Sequence, residues 1–506
     1  MQTKRFLTAI LLCCFSASSA DIVPPDVRAA LNQIQPNELK GDLSFLASDA
    51  LQGRYTPSPG LQIAAEFIAS KFRAAGLEPG GTDGYFQVAQ MLERRAVSAS
   101  SGLTVKTTST NFTAPPASIS LTSVNSAVHL ADIPIIRFEK REPEVLKGVD
   151  LTGKAVVVPQ PDLARTAQED RRRVILALRA FDREVAHSKA AIEIVVTTQR
   201  LPPPGPPRLL FAGDAEAQVP VITVANQQLQ AQLDAQSVSI DLPAPDDSKV
   251  AVSNVIGILR GSDPNLKDTC VLLTAHYDHI GTAETAGRTA MSAPAGEDKI
   301  FNGANDDGSG TVSVIEIARA LSHLNPHPKR SIVFMTFFGE ERGEFGSRYY
   351  GMHPVFPISK SVADVNLEQV GRTDSTTGKQ IKTASLTGYD YSEVTSYLEK
   401  AGQQTGIKVY KDDQASDAYF TRSDNDALAE QGVPAHSLTV AFDYPDYHQV
   451  GDEWQKIDYD NMAAVDRMVA LSLVNIANSL KAPSWNAENP KTSPFREAQE
   501  NPVTEP

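Results

Sequence analysis

Five short stretches of this 506-residue chain place histidines and carboxylates in an order that suits metal chemistry. They hold His276 and Asp278 in HYDHIG, Asp306 in NGANDDGSG, the neighbours Glu340 and Glu341 in FFGEERG, Glu368 in NLEQVGR, and His448 in DYPDYHQVGDEW. Each alone is weak, because a lone histidine is more often structural than a ligand and acids at strand ends are commonly helix caps. Two histidines with several carboxylates form a ligand set that suits zinc, with cobalt or manganese as substitutes. One shared carboxylate could bridge two ions and leave an open face for water and substrate, as a two-metal hydrolase requires. The pair Glu340–Glu341 raises its own question. Neighbours on a strand point to opposite faces, so both acids can serve one crevice only if the chain turns where the strand ends.

The texture from residue 250 onward supplies a frame for these groups. Apolar runs CVLLTA, SIVFMTFF and VADVNLE alternate with GTVSVIEIARALSHL and a Gly-bounded helix. That alternation predicts an α/β fold, a mixed central sheet with helices on both faces. In such sheets ligands bind beyond the carboxyl ends of the strands, where most of the candidate residues fall. Upstream, residues 36–76 read as helical, with Leu61, Ala65, Ile68 and Phe72 on one face and Gly76 as the stop. From about 117 to 247 the chain changes to short β-rich runs broken by proline, interrupted by one basic helix, EDRRRVILALRAFDREVAHSKAA. That helix reads as a solvated amphipathic surface, and PPPGPP at 202–207 as a rigid loop. The Pro-, Asn- and Glu-rich tail from about Ala482 reads as an extended or mobile arm.

Composition narrows the function classes. The opening MQTKRFLTAILLCCFSASSA has a charged start, an apolar middle and small residues before Asp21, the pattern of a secretory signal peptide cut after Ala20. Its apolar stretch is too short to span a bilayer and no longer one follows, so a secreted or periplasmic protein without a membrane span is expected. Of three cysteines only Cys270 lies beyond the leader, read as a small core filler, so no internal disulfide is expected in the mature chain. The formal charge of −14 becomes more negative once Lys4 and Arg5 leave, which argues against nucleic acid as a partner.

At the residues quoted above, the sequence resembles the co-catalytic zinc aminopeptidase family, whose relatives include glutamate carboxypeptidase and the transferrin receptor ectodomain. The stretches FFGEERGEFGSRYY and DYHQVGDEWQKID match it further, and LSFLASDALQGRYTPSPG and FRAAGLEPGGTDGYFQ look like its N-terminal segment. The resemblance implies a zinc peptidase domain from 21–116 and 248–481, interrupted by a protease-associated domain at 117–247 and followed by a tail at 482–506. It implies two zinc ions, with His276 and Glu368 as terminal ligands of one, Glu341 and His448 of the other, and Asp306 as the bridge. Glu340 is implied as general base toward the attacking water, Asp278 as the acid that orients His276, and Tyr447 as hydrogen-bond donor to the developing oxyanion. A cis peptide between Asp306 and Asp307 is also implied. Two positions depart from the family pattern, which more often has Asp at Glu368 and His at Asn425; these bear on metal preference and on the pocket wall. His187, His279, His323, His327, His353 and His436 have no counterpart and read as surface or packing residues. The expected activity is that of an exported zinc exopeptidase acting on peptides, most simply an aminopeptidase. Alternatives are a carboxypeptidase, which needs Arg372 or Arg422 to hold a terminal carboxylate, and a non-catalytic receptor-like ectodomain. Residue preference and oligomeric state are not legible.

Overall fold

The computed structural model describes residues 23–501 apart from 96, 98, 100, 101, 109, 110, 164, 202–205, 213–218, 227, 228, 230–234, 288 and 292–295. The signal-peptide reading and most of the PPPGPP stretch lie outside the described residues. The chain divides into two compact units. One comprises the described residues up to Gln87, Ser253–Thr282 and the chain from Met291 onward; the other comprises Val88–Val252 and Ala283–Ala290. The β-rich insert expected at 117–247 falls inside this second unit, which begins earlier because strands at Leu103–Thr107 and Asn111–Ala114 belong to its sheet.

After a short helix at Pro25–Leu31, the larger unit continues with helices α1 (Pro36–Leu46) and α2 (Pro59–Ala74). Ser58 caps α2 by accepting the Leu61 N–H at 3.1 Å, and Pro59 suits the first turn, where no amide partner is needed. Leu61, Ala65, Ile68 and Phe72 are buried, as their spacing requires. The helical reading of 36–76 holds as two helices, between which Gln52, Gly53 and Arg54 take left-handed backbone angles.

The central sheet contains β1 (Asp246–Leu259, of which Ser253–Leu259 lies in this unit), β2 (Cys270–His276), β3 (Ser331–Phe337) and β4 (Ser361–Leu367). It continues with β5 (Thr383–Leu386), β6 (Lys408–Tyr410) and β7 (Ala435–Thr439). The strand order is β6-β5-β7-β4-β2-β3-β1. Strands β3, β2, β4 and β7 pair in parallel, while β1 and β5 run antiparallel to β3 and β7, which makes the sheet mixed as expected. Helices α3 (Gly310–Ser322), α4 (Phe345–Met352), α5 (Val394–Thr405), α6 (Asn425–Ala429) and α7 (Tyr459–Asn478) accompany it. Every residue of β2 and β3 is buried, which an unbroken apolar run permits only when both faces are covered. Cys270, Leu272, Val333 and Met335 pack with Tyr350 of α4 and Leu428 of α6, while α3 and α7 lie against the same two strands.

The C-terminal segment differs from the mobile arm expected of its composition. Trp485 is buried and its Nε1 donates to the Gly432 carbonyl at 2.9 Å. Phe495, on a short helix Ser493–Glu500, stacks on Trp485 and lies against Phe420. Two aromatics among polar residues are enough to hold the segment down.

The smaller unit contains an eight-stranded sheet and the long helix Gln168–Ala186. Side chains alternate across its strands in the usual way. Val157 and Ile194 join one apolar cluster with Val105, while Val156 and Val195 join another with Phe181 of the helix. Among the described residues no helix is long and apolar enough to cross a membrane.

Candidate metal centre

His276 is the last residue of β2, and its partner strands β3 and β4 end beside it, just before Glu340 and Glu368. Gly339 and Gly343, both at positive φ, bend the chain into a 3-10 turn at Glu340–Arg342. The turn brings the two neighbouring acids into one crevice. Glu340 Oε2 lies 3.9 Å from His276 Nε2, and Glu341 Oε1 lies 3.2 Å from His448 Nε2. Glu368 Oε1 is 3.6 Å from His276 Nε2, and its Oε2 accepts the Ser423 hydroxyl at 2.7 Å.

Asp306 sits between the two histidines. Its Oδ1 is 3.4 Å from His276 Nε2 and its Oδ2 is 3.1 Å from His448 Nε2. The backbone that aims it is held by Asp452, whose carboxylate accepts the amides of Asn305 and Asp306 at 3.0 and 3.1 Å. The Asp306–Asp307 peptide is cis, as expected. Asp307 Oδ1 accepts the Gly310 and Gln369 amides at 3.0 and 3.1 Å, and its Oδ2 is buried without a hydrogen-bond partner.

These donors fall into two groups, His279, Asp306, Glu341 and His448 in one and His276, Asp307 and Glu368 in the other, each with donor atoms within 4.8 Å of one another. Asp306 Oδ1 also reaches the second group through His276. A metal ion fits both. His276 Nε2 and Glu341 Oε1 are buried without a hydrogen-bond partner, and mixed imidazole and carboxylate donors are what zinc prefers.

Charge is distributed unevenly across the crevice. Burial drives the Glu340 carboxyl well above the usual range; His276 pulls it down, while Glu341 and Glu368 add to the rise. Burial and Asp306 push Glu341 upward too, but His448 and His279 outweigh them and hold it at about 2. Burial, then the surrounding carboxylates, raises the Tyr447 phenol above its ordinary value, so it keeps its proton and can donate it. Its ring stacks on His448 with centroids 4.0 Å apart.

Asp278 orients His276 through its backbone more closely than through its side chain. His276 Nδ1 is 3.2 Å from the Asp278 carbonyl and 3.6 Å from its Oδ1. The carboxylate instead accepts the Glu340 amide and the Thr56 hydroxyl, both at 3.1 Å, and so ties the acidic turn to the strand end. Asn425 is buried, donating to the Phe420 carbonyl and accepting from Ser437, which lines the cleft.

Two groups escaped sequence reasoning. His279, read as a packing or surface residue, is fully buried with Nδ1 2.8 Å from Glu341 Oε1. Its position three residues after His276, in the same short stretch, was the available signal. Arg54 is also fully buried, and donates to the carbonyls of Leu46, Tyr277, Asn302 and Gly303 at 2.6–2.9 Å. A lone arginine in LQGRY carries no such signal.

Residues 254–473 match the model of Peptidase family M28. The matched segment is less than half of the chain. It contains the sheet strands β2, β3, β4 and β7, and every acid and histidine of the centre. A "Vacuolar membrane protease" of Tuber melanosporum is 28% identical over 207 residues, 40% of this chain and 18% of that protein. A "Probable zinc metalloprotease" of Leptosphaeria maculans is 32% identical over 139 residues, 28% of this chain and 26% of the relative. A "probable leucine aminopeptidase 2" of Aspergillus oryzae is 26% identical over 289 residues, 51% of each. The chain thus spans about half or less of the length of these curated relatives. In fold it is similar to an aminopeptidase from Aneurinibacillus sp. strain AM-1, with a TM-score of 0.54 at 18% identity over 91% of this chain and 97% of the other.

Proposed function

We propose that this chain is an exported zinc aminopeptidase that holds two metal ions. Asp306 carries the reading: its two carboxylate oxygens face two different histidines, each of which also lies beside a further acid. His276 and Glu368 would hold one ion, Glu341 and His448 the other, with Asp306 shared. Zinc, when bound, supplies a Lewis acid that polarises the peptide carbonyl and acidifies water. Glu340 takes the proton of the attacking water and returns it to the leaving amine, a task that suits a carboxyl whose burial makes it a stronger base. Tyr447 donates its phenol hydrogen to the oxyanion as it forms. Asp278 keeps Glu340 in place by accepting its amide.

A carboxypeptidase is the second reading, and of its two candidate anchors only Arg422 lines the cleft. Arg372 is buried, and three of its five hydrogens already serve the carboxylates of Asp374 and Asp446 at 2.6–2.8 Å, so its charge is balanced before any substrate terminus arrives. A receptor-like role leaves the complete donor set and Glu340 without purpose. Elemental analysis of zinc-loaded protein, together with hydrolysis of free and N-acetylated peptides, tests the proposal. About two zinc ions and cleavage of free peptides only are expected. A single tight ion counts against the bridged pair, and indifference to acetylation counts against an aminopeptidase. Export rests on residues 1–20, and N-terminal sequencing of protein from the producing cell should start at Asp21; retention of the leader refutes it.

A further inference from the structure

The cleft above the centre is floored by Asp306, Glu340 and Glu368 and walled by Tyr419, Arg422 and Phe442. Arg422 is the one lysine or arginine among the described residues that line it. Other arginines around the centre are committed elsewhere. Arg54 serves four carbonyls, Arg372 serves two aspartates, and Arg342 binds the Tyr55 hydroxyl and the Thr56 carbonyl. The Arg422 guanidinium has no carboxylate within ion-pair distance among the described residues and lies 4.6 Å from the Tyr419 ring centroid. Tyr419 is itself braced edge-on by Phe442, with centroids 5.2 Å apart. A planar cation held on an aromatic face loses little freedom when it pairs with an anion, and its fork matches a carboxylate. Arg422 also precedes Ser423, which hydrogen-bonds Glu368, so this cation stands on the His276–Glu368 side of the centre.

We infer that Arg422 receives a carboxylate of the substrate and biases the enzyme toward acidic short peptides. The inference rests on the peptidase reading above. Two sources present the same chemistry: an acidic N-terminal side chain, or the free C-terminus of a dipeptide. With metal ions balancing the floor acids, the cleft would retain one unpaired cation facing the substrate.

The experiment compares kcat/KM of wild type, Arg422→Lys and Arg422→Gln on leucinamide, glutamic acid α-amide, leucyl-leucine and leucyl-leucinamide. For the glutaminyl variant, the ratio of glutamic α-amide to leucinamide falls about tenfold if the side chain is the anchor, and the ratio of leucyl-leucine to leucyl-leucinamide falls by as much if the C-terminus is. The change appears mainly in KM, and the lysyl variant is intermediate because it keeps charge and loses the fork. A uniform change across all four substrates overturns the inference. If wild type hydrolyses none of them, the peptidase reading has failed, and binding alone decides. Titration calorimetry of the four ligands into zinc-loaded Glu340→Gln protein, with and without Arg422→Gln, then shows a carboxylate preference that depends on Arg422, or its absence overturns the inference.

Discussion

Replacing Arg54 by leucine should unfold the floor of the centre. Its guanidinium donates to four carbonyls, two of them on Asn302 and Gly303 just before Asp306 and one on Tyr277 beside His276. All lie where water is scarce, and each buried acceptor left without a donor costs about 1–3 kcal/mol, so the gross loss is roughly 4–12 kcal/mol. Against this stands relief from keeping a charge out of water. Burial is the main cause that lowers the Arg54 pKa from 12.5 to about 10, despite Asp278, Asp452, Asp307 and Asp306, and that shift corresponds to about 3 kcal/mol. The net destabilisation is then on the order of 4 kcal/mol, in the range for breaking a buried charged contact. The assay is urea unfolding of zinc-loaded protein followed by fluorescence of Trp454 and Trp485, the chain's two tryptophans, both in the larger unit. Arg54→Lys, with three hydrogens and no fork, should fall between wild type and leucine. A loss below about 1 kcal/mol for leucine, with zinc content unchanged, would refute the reasoning, because four carbonyls would then have found other partners.

The two neighbouring acids should fail differently. Glu340→Gln keeps its shape and loses a base, so zinc content by elemental analysis holds while kcat falls by ~10²–10⁴ or more; Glu341→Gln instead loses zinc, and the opposite pattern reverses the assignment. His276→Ala should release one metal preferentially, seen as a loss of about one equivalent with most of the activity. Asp466 of α7 is fully buried, and burial raises its carboxyl from 3.8 to about 8. The folded state therefore favours the neutral acid, and wild type loses stability as pH rises from the unfolded value through the folded one. Asp466→Asn carries no such charge, so its Tm advantage should grow between pH 4 and 8 and then level; an advantage that is equal at pH 5 and pH 9 contradicts the assignment.

The sequence exposed what repeats a local rule. Apolar runs of β2 and β3 mark buried strands, and donors placed after strands mark a crevice, so the mixed sheet and the five donor stretches could be read directly. What stayed hidden depends on partners far along the chain. Arg54 matters because carbonyls more than two hundred residues away converge on it, and no local pattern announces that. The break between α1 and α2 follows from the same clamp region, where Gln52 and Arg54 adopt angles that helix periodicity does not reveal. His279 has no counterpart in the family pattern and so reads as a surface or packing residue, whereas its ring nitrogen lies beside Glu341. Composition also hides the order of the tail, because it averages over the two aromatics that hold it down.

The donors of the centre come from positions 276 to 448, and they converge only after β2 has found both β3 and β4. Only near neighbours such as Glu340 and Glu341, or His276 and His279, are close in an extended chain, and no such pair combines the imidazoles and carboxylates of either group. Tight loading is thus a late event in maturation, and the ion stabilises only chains already assembled around it. Metal content then works as a gauge of assembly: a preparation short of zinc that cannot be filled by adding more contains chains whose strands have not paired.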